Sequence, residues 1–457
     1  MAGRLSLRDG ATPPRVERVT VARTLADLIE PLTGGELPVH LVAWDGSTAG
    51  PTDAPTVRLN SPDALRRLLW HPGELGAAQA YVTGELDVDG DIGDALRHLR
   101  AVLAGRGIRG LRPTPSLVAQ VVRAARSLGV LGGRPPAPAS QARLTGRLHS
   151  LRRDRSAISH HYDLSNDFYE QILDESMAYS CAYVTDPGAD LQRGRESAAY
   201  TLEDAQRGKL DLVCRKVGLD ARPGMRLVDV GCGWGSLSLH AAREYGAQVV
   251  AVTISAEQQV FVQARAVEQG VGDLVQVRLQ DYREVVDGPF DAVVSIEMGE
   301  HVGDRNYGTY AATLHRLAAP GARVLVQQMS RPGRHPGGGP FIESFIAPDM
   351  SMRPIGATVA LLERGGLEVR DVHALREHYA WTVRSWEQRF RERRDALVEL
   401  VGEEVCRVWE LYLAGGALTF EQGRMGVAQI LMVRPHADGS TGLVQRRPAT
   451  WSIVKES

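Results

Sequence analysis

The sequence predicts an α/β protein, a Rossmann-like domain with a parallel sheet preceded by a small N-terminal α/β domain. Three observations carry that expectation. A run from Met225 to Gln258 reads as strand, glycine loop, helix and strand. Short alternating and helical segments fill the chain before residue 130. A stretch rich in proline, glycine and alanine, GVLGGRPPAPASQARLTG, divides the two.

In chain order, LPVHLVAWDGSTAG and TVRLNS alternate like strands, while SPDALRRLLW and DIGDALRHLRAVL have helical periodicity with Ser61 and Asp91 as N-caps. These make up the expected N-terminal domain, residues 1–130, which shows no catalytic cluster and reads as a packing or dimerisation module. Residues 131–145 are the expected linker, 146–435 the larger domain and 436–457 a poorly ordered tail. In the larger domain, Leu227 to Val230 are an apolar run of strand length. Gly231, Gly233 and Gly235 follow, ahead of a helix carrying Leu237, Leu239 and Ala241. Glycine suits that turn because the chain bends sharply and a ligand must reach the backbone without side chains in the way. The next strand, VVAVTIS, ends in Thr253, Ile254 and Ser255, with Gln258 just beyond. Further on, RVLVQQM reads as a strand and Ser330 to Ser344 as a mobile loop beside the site.

Composition narrows the function. The 457 residues are 43% hydrophobic and 24% charged with a net charge of −2, as expected of a soluble enzyme of more than one domain. No charge sign dominates, which argues against a nucleic-acid partner. No long apolar run and no apolar signal core occur, so the expectation is a cytoplasmic protein whose membrane contact is peripheral, on the inner face. The cysteines, Cys181, Cys214, Cys232 and Cys406, lack C-x-x-C pairing, against both a zinc site and a disulfide framework. No metal is expected.

The glycine loop points to an adenosyl cofactor. A dinucleotide site would show G-x-G-x-x-G and an acidic residue about 20 positions on to hold a ribose hydroxyl. Here the spacing is G-x-G-x-G, and the second strand ends in neutral hydrogen-bonding groups.

Three further stretches, ISHHYDLSNDFYEQILDESMAYSCAYV, VSIEMGEHVGDRNYGTY and WELYLAGGALTFEQGRMGVAQILM, together with that loop, resemble cyclopropane-fatty-acid synthases over about residues 143 to 435. The resemblance implies a class I methyltransferase domain with a lipid-binding cap, and an N-terminal domain, similar to that of longer bacterial members, that helps engage lipid or a partner. The implied reaction is transfer of a methyl group from S-adenosylmethionine to the cis double bond of a phospholipid acyl chain such as oleoyl. It also implies a cofactor set of Tyr179, Ser180, Asp229, Gly231, Gly233, Gly235, Thr253, Ser255, Gln258 and Tyr282. Related enzymes hold a bicarbonate ion as base between a cysteine, a glutamate, a histidine and a tyrosine. Cys181, Glu300 and Tyr379 match three of these, with His301 able to assist Glu300, while Gln327 stands at the histidine position. An amide donates a hydrogen bond to an anion but carries no charge, and a carboxyl beside bicarbonate is expected to have a raised pKa. Where many relatives have a cysteine once proposed as catalytic, this chain has Gly416, read as packing.

Tyr307, Trp386 and Trp409 are candidates to face a developing cation, or to pack in the core. His160, His161 and Asp163 invite a metal reading, but adjacent histidines point different ways, so a structural or substrate-loop role is expected. Loss of a proton from the added methyl closes a cyclopropane, whereas loss after a hydride shift leaves an exocyclic 10-methylene group. The second product implies a flavin- or NADPH-dependent reductase as partner, and the resemblance also suggests a homodimer. Two rival readings stay open at this stage: an N- or O-methyltransferase for a small molecule, and a cofactor-binding subunit without catalysis.

Overall fold

A computed structural model describes residues 20–108, 114–142, 166–333 and 337–443. The chain forms two compact units, one of Met1–Trp70 with Gly84–Pro135 and one of His71–Thr83 with Pro136–Ser457.

The first unit holds a four-stranded sheet in the order β2-β1-β3-β4, with β1 His40–Val42, β2 Thr48–Ala49, β3 Thr56–Leu59 and β4 Leu86–Val88. β1 runs antiparallel to β2 and parallel to β3. Helices Pro62–Trp70 and Ile92–Gly105 start where the sequence marked them: Ser61 Oγ accepts from the Asp63 N–H, and the Asp91 carboxylate from the Asp94 N–H.

The second unit is built on a seven-stranded sheet in the order β10-β11-β9-β8-β5-β6-β7. Its strands are β5 Arg226–Val230, β6 Gln248–Thr253, β7 Val275–Leu279, β8 Phe290–Ile296, β9 Ala318–Ser330, β10 Glu368–Ala374 and β11 Gly426–Val433. β5 to β9 are parallel, whereas β11 runs antiparallel to both β9 and β10. The buried valines and alanines of β5, β6 and β8 are the near-continuous apolar runs of strands covered on both faces. The order reverses between β5 and β8, and the carboxyl ends of strands at such a switch point open a crevice for a ligand.

Local signals set the helices around that crevice. Helix Ser236–Tyr245 begins after Gly235 (φ +80°) and ends at Gly246 (φ +60°). Helix Ala256–Glu268 is capped by Ser255, whose Oγ accepts from the Gln258 N–H. Helix Leu202–Lys216 opens on a capping box between Thr201 and Asp204.

A helical layer with an aromatic core covers the sheet ends. Helices Asn166–Ile172, Arg376–Glu392 and Glu403–Glu421 share Phe168, Tyr169, Trp381, Trp386, Phe390 and Trp409. Arg389 ties this layer to the first turn of helix Leu202–Lys216 and the chain before it, pairing with Glu203 at 2.7 Å and Glu196 at 2.6 Å and donating to the Leu173 carbonyl. Helix Glu74–Val82 belongs to the same layer, although it lies inside the span read from the sequence as N-terminal. Its Tyr81 hydroxyl donates to Glu410, its Tyr81 carbonyl accepts from Arg407, and the Arg407 guanidinium sits 4.2 Å from the Tyr81 ring centroid.

The stretch Ser330 to Ser344 contains helix Pro340–Phe345, and Arg331 donates to the Gly337 carbonyl. His160, His161 and Asp163 lie outside the described residues. Among the described residues no helix is long and apolar enough to cross a membrane, and no group of three or more metal-ligating side chains occurs.

Candidate active site

A pocket opens at the carboxyl ends of β5, β6 and β8. Its wall includes Tyr179, Ser180, Asp229, Gly231, Gly233, Thr253, Gln258, Tyr282 and His301 from the sequence-derived set, together with Lys209, Trp234, Glu297 and Met298. Gly235 and Ser255 stand behind it. A Cβ on Gly235 would lie 2.6 Å from Val262, so this glycine serves close packing of the loop on the following helix. Ser255 acts as that helix's cap.

Gly231 and Gly233 have φ of +81° and +54°. A Cβ on Gly233 would meet nothing within 4 Å, so its bare backbone faces open pocket, as a ligand cradle requires. Thr253 Oγ1 donates to Gln258 Oε1 at 2.7 Å, fixing two polar groups at the tip of β6. Tyr282 sits after β7, its ring edge-on to Tyr310 at 5.7 Å. Asp229 is buried, accepts from Ser238 Oγ at 2.8 Å, and has its pKa raised to about 6 by burial. Lys209, 1% exposed, donates to Ser180 Oγ at 3.1 Å, and burial lowers its pKa against the pull of the surrounding carboxylates.

Three other sequence-derived residues, Cys181, Gln327 and Tyr379, converge on a group that the sequence reading passed over. Glu297, at the tip of β8, accepts from the Cys181 N–H at 2.9 Å, from Gln327 Nε2 at 2.8 Å and from the Tyr379 hydroxyl at 2.6 Å. Its own N–H donates to the Gln327 carbonyl, and its φ of +49° is a left-handed conformation that a side chain rarely adopts. Burial pushes its carboxyl pKa up, opposed by those hydrogen bonds and by Lys209.

Gln327 is itself oriented from behind. Its Oε1 accepts from Gln429 Nε2 at 3.0 Å, and Gln429 Oε1 accepts from Lys216 Nζ at 2.9 Å, so the Gln327 amide N–H₂ must turn toward Glu297. Lys216, also buried, lies 3.7 Å from Asp371.

Glu300 is elsewhere. It is fully buried on the turn Gly299–His301, where Oε1 accepts from the Met329 N–H at 2.5 Å and Oε2 has no hydrogen-bond partner. Burial, then the charge of Glu297, pushes its pKa up to about 8, so it is neutral at physiological pH. The Cys181 thiol is fully buried and raised well above its usual range by burial and by Glu297. Its backbone, not its sulfur, serves Glu297.

Aromatic rings pack around Tyr179, of which Trp234 also lines the pocket. The Tyr179 ring centroid is 5.3 Å from that of Trp386, 6.3 Å from Trp409 and 6.4 Å from Trp234, and its hydroxyl meets that of Tyr412 at 3.0 Å. Tyr307 is not among these rings. It is buried beneath the Arg353 guanidinium, 4.1 Å from the ring centroid, so that face is already occupied by a cation. Gly416 has ordinary room: a Cβ there would lie 3.6 Å from Val383.

A family model described as mycolic acid cyclopropane synthetase matches residues 149–430. The chain belongs to this family. It is an S-adenosylmethionine-dependent methyltransferase, and the seven-stranded sheet with its antiparallel β11 is the class I arrangement. It is 36% identical to a protein named "Probable fatty acid methyltransferase" from Pseudomonas putida, over 91% of this chain and 96% of that one. It is 35% identical to a tuberculostearic acid methyltransferase of Mycobacterium tuberculosis, over 93% and 94%. Among solved structures, mycolic acid cyclopropane synthase CmaA1, crystallised with SAH and CTAB, is 31% identical with a TM-score of 0.54, covering 61% of this chain and 97% of that one.

Proposed function

We propose that this methyltransferase methylates the cis double bond of an unsaturated lipid acyl chain. The observation that carries the reading is the aromatic lining beside the glycine loop: Tyr179 and Trp234 line the pocket, and the buried rings of Trp386 and Trp409 pack behind Tyr179. Bound S-adenosylmethionine supplies an electrophilic methyl group to this site. Gly231 and Gly233 would give its methionine part access to backbone, Thr253 and Gln258 would address the ribose, and Tyr282 would flank the adenine, all of them lining the pocket with room at Gly233. Asp229 and Lys209 offer opposite charges to the zwitterionic methionine end.

An alkene is a weak nucleophile, so the chain's work is to hold it in line and exclude water. The π faces of Tyr179 and its neighbours favour the cationic carbon that follows transfer. The relatives named for fatty acid and tuberculostearic acid methylation support an acyl substrate. Exposed Val118 and Val122, one turn apart on helix Pro115–Ser127, support peripheral contact with a lipid surface.

The test is incubation of the full chain with S-adenosylmethionine and oleoyl-phospholipid vesicles, followed by mass spectrometry of the released fatty acids with double-bond localisation. The expected result is a gain of one methylene unit at the former double bond. Saturated-ring fragments identify the cyclopropane, and an exocyclic methylene identifies the precursor of a branch that a separate reductase completes. Methylation of small amines or phenols with no lipid product would overturn the reading.

A further inference from the structure

We propose that Glu297 is this enzyme's built-in proton acceptor, a carboxylate of its own chain standing where the family resemblance calls for a bicarbonate ion. The proposal rests on the acyl-methylation reading and names the base of that reaction.

The residues present do not fit a separate anion. The Cys181 N–H, the Tyr379 hydroxyl and the Gln327 amide all donate to the two oxygens of Glu297 at 2.6 to 2.9 Å. A bicarbonate ion placed among them would lose these donors and face a carboxylate of the same charge. The neutral Gln327 suits this arrangement: a carboxylate fixed by a covalent bond needs only a directed N–H, and Gln429 aims it. Glu300 does not compete, being turned to the Met329 N–H.

Two independent features mark Glu297 as placed for chemistry. It stands at the tip of β8, at the point where strand order reverses, and lines the same pocket as Gly231 and Gly233. It also holds a left-handed backbone conformation, φ +49°, a kind of strain that clusters at working sites. That bend brings the carboxylate under the Tyr379 hydroxyl. Burial raises its basicity, which strengthens it as a proton acceptor.

The step balances without a further reagent. The alkene's electron pair forms the new carbon–carbon bond as the methyl–sulfur bond breaks, leaving a carbocation in the acyl chain and neutral S-adenosylhomocysteine. A C–H bond of the added methyl group then breaks. Its electron pair bonds to the cationic carbon and closes the ring, or, after a hydride has shifted to that carbon and moved the cation to the methyl-bearing one, forms the exocyclic double bond. In either case the proton passes to a Glu297 carboxylate oxygen, from which it reaches solvent as product leaves.

The test uses the full chain with S-adenosylmethionine and oleoyl-phospholipid vesicles in buffer freed of carbon dioxide, with and without added bicarbonate. Binding of ¹³C-labelled bicarbonate is read separately by NMR. Wild type is expected to bind no bicarbonate and to turn over equally fast in both buffers. Glu297→Gln should lose at least about 100-fold in rate while keeping its affinity for S-adenosylmethionine. Glu297→Gly, whose positive φ suits glycine, should bind bicarbonate and regain activity only when it is added, its fold checked by circular dichroism and S-adenosylmethionine binding. Bicarbonate binding by wild type, a bicarbonate-dependent wild-type rate, or full activity in Glu297→Gln would overturn the proposal. Absence of any methylated lipid from wild type would instead overturn the acyl reading, and the bicarbonate-binding comparison would still decide whether Glu297 holds the anion's place.

Discussion

Replacing Glu300 by glutamine should remove a pH-dependent loss of stability from the native protein. Glu300 is fully buried, with one oxygen on the Met329 N–H and the other without a hydrogen-bond partner, and its pKa rises from the usual 4.5 to about 8. In the unfolded chain the same carboxyl returns to its usual value. Between those two values the native state keeps a proton that the unfolded state has released. Stability is therefore undiminished below the unfolded value, falls as pH rises, and has lost its full increment above the folded value. A shift of roughly 3.5 units is worth on the order of 5 kcal/mol, or about 10 °C in Tm at roughly 2 °C per kcal/mol for a unit of this size. Glutamine keeps a carbonyl for the Met329 N–H and cannot ionise. Thermal melts of wild type and Glu300→Gln from pH 5 to pH 9 check this: the variant's advantage should be small at pH 5 and grow by several degrees toward pH 9. Parallel pH profiles, or an advantage that shrinks as pH rises, would refute the assignment of Glu300 as a neutral buried acid.

Further predictions concern the glycine loop, the ion pairs and the thiols. Gly233→Ala should weaken S-adenosylmethionine binding in calorimetry, because its Cβ points into open pocket, and should cost about 1 kcal/mol of stability, because its φ of +54° is left-handed. Gly235→Ala should lower Tm by the equivalent of about 1–3 kcal/mol, since its Cβ runs into Val262 at a positive φ. Arg389→Met leaves Glu196 and Glu203 without their shared cation, and should cost about 3–5 kcal/mol, read as a fall in Tm. Lys216→Met should slow turnover without changing S-adenosylmethionine affinity, because it frees the Gln429 amide that aims Gln327. All four cysteines are buried, so a thiol reagent should titrate fewer than one in the native protein and four after denaturation.

The sheet was readable where its chemistry is local. The apolar run before Gly231, the glycine spacing and the neutral tip of VVAVTIS announce β5, the loop and β6 without help from distant residues. The base was not readable in the same way. The segment EMGEH offers two carboxylates three residues apart, and sequence cannot say which one faces the pocket. That is decided by the left-handed turn at Glu297, which sends it inward, and by the short turn that tucks Glu300 against β9. A carboxylate at the carboxyl end of a central parallel strand was the available signal. Lys209 and Lys216 were equally hidden: on a helix as polar as LEDAQRGKLDLVCRK both read as surface charge, yet each is 1% exposed and each finds its partners on segments distant in sequence. Tyr307 drew attention for its ring, whereas Arg353, which covers it, lies far along the chain.

Helix Glu74–Val82 has a practical consequence for anyone cutting this protein apart. The chain enters the catalytic unit at His71, leaves it at Thr83 and returns at Pro136. A truncation at the proline-rich stretch would strip away six buried residues, among them Tyr81, on whose ring Arg407 rests, leaving a raw apolar surface where a helix had been. Chimeras that exchange the front part must carry residues 71–83 with the catalytic half, and a gene fragment beginning at Pro136 should yield aggregate in place of enzyme.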